Sequence, residues 1–185
     1  MAAIKLLLGL FCLGFIGSFG MLKRNLLKQA PPIDTIQRAK LVQLARNELG
    51  IREKTGNNDG PRVELYLASV GLKRGQPWCA AYVSWLFSKA GFLKPRSGWS
   101  PDLFPSARLA RSALPGNVIG IYFPELKRIA HVGLIVSVRD DWVVSSEGNT
   151  NVAGSREGDG VYLRIRHKRT IYRIADWVSG RRVQP

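Results

Sequence analysis

The chain's chemistry-bearing residues centre on Cys79, in the run Gln76-Pro77-Trp78-Cys79-Ala80-Ala81-Tyr82-Val83-Ser84-Trp85-Leu86-Phe87. It is the only cysteine outside an apolar N-terminal segment, so an intrachain disulfide is excluded for it, and packing, metal binding or chemistry remain. A nucleophilic cysteine needs a base. Two histidines are present. His131 lies in Ala130-His131-Val132-Gly133-Leu134-Ile135-Val136-Ser137-Val138, a β-branched run that predicts a buried strand. His167 lies in Arg164-Ile165-Arg166-His167-Lys168-Arg169, where cationic neighbours oppose the imidazolium of a Cys/His pair. His131 is therefore the better base.

A third group must fix the tautomer and direction of the imidazole. Glu147 and Asn149, in Glu147-Gly148-Asn149, both offer this. Glu147 would add charge that raises the basicity of the ring, and Asn149 would orient it without charge. They share one face if a strand runs on through Gly148, and separate if a turn falls there. Taken singly, a lone cysteine is a small buried hydrophobe, a strand histidine a core residue and Glu-Gly-Asn a turn. Their joint occurrence, in this order, points to acyl transfer. The Cys79 N–H is the first candidate donor to an oxyanion.

The elements that would position these residues can be read from punctuation and periodicity. Pro77 ahead of Cys79 and Gly91 after the apolar run predict a helix with Cys79 in its first turn, where the helix dipole favours thiolate. Asp34 or Thr35 would cap an earlier helix carrying Ile36, Ala39, Val42, Leu44, Ala45 and Leu49 and stopped by Gly50, and a second helix runs from Pro61 to Ser69. After a proline-marked loop through Pro95, Pro101 and Pro105, strands are expected at 118 to 123, 130 to 138, 142 to 146, 160 to 166 and 170 to 174. Helices followed by an antiparallel sheet give an α+β fold with N-terminal helices packed on the sheet. The Arg164 and Arg166 alternation reads as the solvated face of a strand.

Trp78-Cys79-Ala80-Ala81-Tyr82-Val83-Ser84-Trp85, His131-Val132-Gly133-Leu134-Ile135-Val136 and Glu147-Gly148-Asn149 together resemble the CHAP domains, the cysteine, histidine-dependent amidohydrolase/peptidases of the papain-like and NlpC/P60 superfamily. The resemblance covers residues 35 to 175. It implies a papain-like topology, with Cys79 as nucleophile, His131 as base and Glu147 or Asn149 as the orienting group. Analogy with papain-like sites offers the Gln76 side-chain amide as a second donor to the oxyanion. It also implies peptidoglycan or a related cell-wall peptide as substrate, with amidase and endopeptidase chemistry both open. No cofactor is implied, and a monomer is expected. Ala130 stands where a glycine commonly precedes the histidine.

Metal binding is disfavoured by the residue pattern. There is no closely spaced Cys or His pair for zinc, and the loop Thr55-Gly56-Asn57-Asn58-Asp59-Gly60, where some CHAP domains hold calcium, carries one carboxylate. It reads as a turn leading into the helix at Pro61.

Residues 6 to 22 run without a charge, near the lower limit of what a helix needs to span a hydrocarbon core of about 30 Å. Signal peptide and uncleaved anchor are both consistent with this single N-terminal hydrophobic helix, and both lead to a membrane. Lys23, Arg24 and Lys28 would by charge alone hold the following domain inside, whereas a wall hydrolase acts outside the cytoplasm. Export or outward anchoring is the expectation. The organisation expected is signal or anchor with a basic linker at 1 to 32, a catalytic domain at 33 to 180, and a basic tail at 181 to 185.

With 28 Lys and Arg against 13 Asp and Glu, the formal net charge is +15. Such a balance favours polyanionic partners, here an anionic wall polymer or lipid surface. No helix-turn-helix, aromatic RNP strand or zinc module marks a specific nucleic-acid reader. The alternative to an enzyme is a catalytically silent, membrane-tethered basic protein that binds wall polymer or nucleic acid.

Overall fold

A layer of helices lies against one face of an antiparallel sheet in the computed structural model, which describes residues 32–152 and 158–180. The helices are α1 (Ile33–Asn47), α2 (Pro61–Ala68) and α3 (Cys79–Ala90). The strands are β1 (Val118–Phe123), β2 (Arg128–Arg139), β3 (Trp142–Thr150), β4 (Gly160–His167) and β5 (Arg173–Ala175). They order as β4-β3-β2-β1-β5, every neighbour antiparallel. The expected α+β layering is present. The hydrophobic segment at 6 to 22 and the tail at 181 to 185 lie outside the described residues, and no described helix is long and apolar enough to cross a membrane.

Helix α3 is the centre of the core. Ala80, Tyr82, Val83, Leu86 and Phe87 are all buried, and they pack with Val118, Val132 and Leu134 of the sheet. Full burial of each large side chain contributes about 1.5–3 kcal/mol. The helix ends at Gly91, whose φ of 93° is left-handed and whose N–H bonds back to Phe87 and Ser88. Tyr66 of α2 stacks on Trp78 at 5.6 Å and meets Tyr82 and Trp85 edge-on. This aromatic cluster fixes the chain entering α3, and with it the start of the helix at Cys79.

Among the boundaries that differ from the sequence reading, three have a clear local cause. The first helix begins at Ile33 with Pro32 as its N-cap residue, not at a cap on Asp34 or Thr35. The Pro32 carbonyl accepts from the Thr35 and Ile36 N–H groups, and a proline there loses no donor that the helix needs. β3 continues to Thr150 instead of stopping at 146, because Glu147 and Thr150 still pair with β4. β5 is confined to Arg173–Ala175, since residues 168–170 form a 3₁₀ turn capped by the His167 side chain.

Candidate active site

Cys79 sits at the first position of α3, and no side chain caps that helix. Its own N–H and those of Ala80 and Ala81 are first-turn donors without an intrahelical partner. The sulfur meets β2 at the histidine: Sγ lies 3.9 Å from the Ala130 carbonyl oxygen, and the Val132 N–H bonds toward it. A β-bulge opposite Ile121 and Tyr122 accommodates this stretch, and Ala130 needs no left-handed backbone.

His131 Nε2 is 2.7 Å from Glu147 Oε2. That leaves Nδ1 as the ring nitrogen for the thiol. Glu147 is fully buried and held on every side. Arg166 donates from Nε and Nη2 to its two oxygens, both at 2.6 Å, and the Ser145 hydroxyl donates to Oε1 at 2.6 Å. A bidentate guanidinium fixes a carboxylate in plane as well as in place.

The electrostatics follow from these contacts. Burial pushes the Glu147 carboxyl up, but the bonds and charges of Arg166 and His131 hold it down to about 2. Burial would lower His131, yet its hydrogen bonds and charge interactions with Cys79 and Glu147 raise it to about 10. Burial raises the Cys79 thiol, and His131, Ser100 and the Val132 N–H outweigh it, leaving the thiol below its ordinary value. All three shifts run toward a thiolate beside an imidazolium beside a carboxylate.

Asn149 does not reach the imidazole. Its φ of 53° turns it out of the strand's alternation, within the irregularity of β3 between Glu147 and Thr150, and its side-chain amide donates to Asn58 Oδ1 at 2.8 Å. The strand does run on through Gly148, but the left-handed backbone of Asn149 separates the two polar side chains. Asn58 also donates its N–H to Glu53, which accepts from the Trp78 indole at 2.8 Å. The 53–59 loop therefore ties the residue before the cysteine to the residue after Glu147-Gly148. In the same loop Asp59 accepts from the N–H and hydroxyl of Thr55 and from Arg74, so its oxygens are engaged by protein donors.

Two glycines of the sequence motifs have steric reasons. A Cβ at Gly133 would lie 2.6 Å from Glu147 Cγ, in the space the carboxylate side chain occupies. A Cβ at Gly148 would lie 2.6 Å from the Trp78 ring and 2.9 Å from Tyr82. The first glycine makes room for the carboxylate, and the second lets β3 press against the start of α3.

Arg166 and Ser100 were not found by sequence reasoning. The expected solvated face of β4 is inverted: Arg164 and Arg166 pair across from Ser145 and Val143 and lie half-buried, while Leu163 and Ile165 are 42% and 70% exposed at the sheet edge. The reason is Glu147, whose buried charge draws Arg166 inward. Ser100, buried in the 3₁₀ turn Ser100–Leu103, places its hydroxyl 3.5 Å from Cys79 Sγ. That loop is pinned to α3 by Ser84, which bonds both the N–H and the carbonyl of Ser97. Gln76 borders a cleft beside Cys79, and its side-chain Oε1 accepts from the Lys73 N–H. His167 is remote from these contacts, its Nδ1 accepting from the Arg169 N–H.

Two clefts meet at Cys79. One, about 260 Å³, is lined by His131, Ile121, Phe123, Arg128, Arg164 and Arg166 among others. The other, about 460 Å³, is lined by Val70, Leu72, Trp99, Arg96, Arg128 and their neighbours. A substrate crossing from one to the other passes the sulfur.

No family model matches the chain, and no curated protein matches it. Two solved structures are similar in fold. The peptidoglycan hydrolase RipB from Mycobacterium tuberculosis aligns at 19% identity and a TM-score of 0.49 over 78% of this chain and 66% of that one. Ly7917 aligns at 14% identity and a TM-score of 0.44 over 75% of this chain and 61% of that one. The chain thus spans less than two thirds of the length of each.

Proposed function

We propose that this chain is a cysteine amidohydrolase or peptidase of the CHAP type, with a papain-like fold, that cleaves an amide of peptidoglycan outside the cytoplasm. The observation that carries the proposal is the linked set Cys79, His131, Glu147 and Arg166, in which a thiol held below its ordinary value adjoins an imidazole bonded at 2.7 Å to a buried carboxylate. The wall substrate rests on the motif resemblance of the sequence.

In the proposed reaction the Cys79 thiolate attacks the amide carbonyl carbon, and the carbonyl electrons move to oxygen. The Cys79 N–H donates to that oxyanion, and preorganised donors of this kind supply about 3 kcal/mol each. As the C–N bond breaks, the imidazolium gives its Nδ1 proton to the leaving amine. His131 then takes a proton from water, which attacks the thioester and releases the acid. Glu147 stays ionised throughout and orients the ring. Glu147 is the orienting group of this mechanism, and Asn149 holds the 53–59 loop.

Residues 6 to 22 would deliver the domain across or onto a membrane, and the basic surface would hold it to anionic wall polymer or lipid. The test is release of soluble muropeptides from purified peptidoglycan by the wild type and by Cys79→Ala, read by mass spectrometry. The wild type alone should release them, and the product masses identify the bond. Equal release by a purified, folded Cys79→Ala protein would sink the reading, and no release by either would favour the catalytically silent binding protein.

A further inference from the structure

We propose that the smaller cleft at Cys79 is a subsite for a free carboxylate on the substrate, bound by Arg128 and Arg164. The inference deepens the hydrolase reading and rests on it for the choice of peptide. β4 is built inside out, with Leu163 and Ile165 exposed and its cations turned into the cleft. For Arg166 the cause is Glu147, which takes both guanidinium bonds. Arg164 has no such counter-charge among the described residues. Its Nη1 donates to the Asn151 and Val152 carbonyls at 2.9 and 2.7 Å, and it forms no ion pair with a described carboxylate.

Arg128 faces the same cleft and is also unpaired among the described residues. Its guanidinium lies 4.0 Å over the Trp99 ring, and Nη1 donates to the Ile129 carbonyl at 3.1 Å. Both side chains are therefore held in place by neutral partners, with charge left over. Preorganised guanidinium groups of this kind suit carboxylates, because the planar fork matches two oxygens and little rotamer freedom remains to be lost. The cleft has His131, Arg128, Arg164 and Arg166 on its wall and no carboxylate among its described lining residues, so an anion entering it meets net positive charge. A neutral peptide would leave both arginines facing the cleft without a counter-charge among the described residues.

The probes are the stem peptide L-Ala-γ-D-Glu-meso-diaminopimelate-D-Ala and the same peptide with its carboxylates converted to carboxamides. Binding is measured calorimetrically to the full chain carrying Cys79→Ala, so that turnover does not intrude. The carboxylate form should bind about tenfold or more tightly, as expected for a charge-assisted pair. Adding Arg128→Gln and Arg164→Gln should bring the two peptides within about twofold, with near-ultraviolet circular dichroism unchanged. Arg164→Lys, which keeps the charge but not the fork, should retain part of the preference. Equal affinities in the parent, or a preference untouched by the double substitution, overturn the subsite. Peptide preference in a chain whose wild type hydrolyses neither peptide nor wall would support the subsite while removing the hydrolase.

Discussion

Arg166 closes two hydrogen bonds of 2.6 Å on the Glu147 carboxylate, whose Oε2 is also the atom bonded to His131. One oxygen thus serves both the cation that fixes the carboxylate and the base that uses it. Glu147→Gln would leave the guanidinium without its counter-charge in a half-buried position, and breaking such a pair costs about 3–5 kcal/mol. Calorimetric melting should show that loss, and kcat should fall with it. Arg166→Lys should be a better fold than activity, because an ammonium keeps the charge and loses the planar grip. For that variant kcat should drop by about tenfold or more with KM nearly unchanged, and equal losses in both would assign Arg166 to substrate binding instead.

Asn149→Gly makes the contrasting case. Glycine suits the left-handed φ of 53°, so the backbone is relieved while the bond to Asn58 is lost. The bond from His131 to Glu147 does not involve this side chain. Activity should fall far less than in Glu147→Gln, and proteolytic nicking should rise in the 53–59 loop. A loss matching that of Glu147→Gln would restore Asn149 to the imidazole.

The pH behaviour follows from three shifts. The thiolate and imidazolium coexist between the depressed Cys79 value and the His131 value of about 10. Iodoacetamide should therefore alkylate Cys79 rapidly well below the ~8.5 of a free cysteine, and His131→Ala should return the profile toward it. The raised histidine stabilises the fold fully below its unfolded ~6.5, a contribution lost as pH rises through about 10. The depressed Glu147 stabilises fully above its unfolded ~4.3, and that is lost as pH falls through about 2. The depressed Cys79 stabilises fully above its unfolded ~8.5, a contribution lost as pH falls through its lowered value, so it offsets the histidine's loss above ~6.5. Melting temperatures should accordingly decline below ~4.3 and above ~8.5. A thiol titrating as an ordinary cysteine would remove the pair.

The helix bearing Cys79 and the strand bearing His131 were legible because Pro77, Gly91 and the β-branched run each act locally. The inversion of β4 was not. Alternation separates two faces of a strand, and the usual choice of inside is the apolar one. Here the buried charge of Glu147 reversed that choice, and the partner lies on another strand, so no local pattern carries it. The turn of Asn149 away from Glu147 had only a faint signal, in that Asn tolerates left-handed backbone. Ser100 reaches Cys79 through a 3₁₀ turn held by Ser84, a tertiary arrangement with no spacing to read.

The two motif glycines separate space for the site from space for the core. Gly133→Ala puts a methyl 2.6 Å from Glu147 Cγ, so the carboxylate must shift from the imidazole. Gly148→Ala drives a methyl into the Trp78 and Tyr82 rings, an overpacking that costs about 1–3 kcal/mol. Kinetics beside melting curves should show Gly133→Ala losing more kcat per degree of melting temperature. If both variants lose activity only in proportion to stability, Gly133 serves packing and the carboxylate tolerates displacement.

Ser100→Ala tests a contact that polarises the sulfur without belonging to the Cys/His pair. Its hydroxyl, 3.5 Å from Cys79 Sγ, helps hold the thiol below its ordinary value, and a sulfur contact of that length is a modest one. Removing it should move the alkylation midpoint of Cys79 toward higher pH by less than His131→Ala does. The site is buried on the helix side, so the alanine leaves a small void and little change in melting temperature. Ser100→Thr should be worse than Ser100→Ala in kcat, because the added methyl must fit between the loop and α3. An unchanged midpoint in Ser100→Ala, with the fold intact, would reduce Ser100 to packing and leave His131 and the helix terminus as the groups that ionise the thiol.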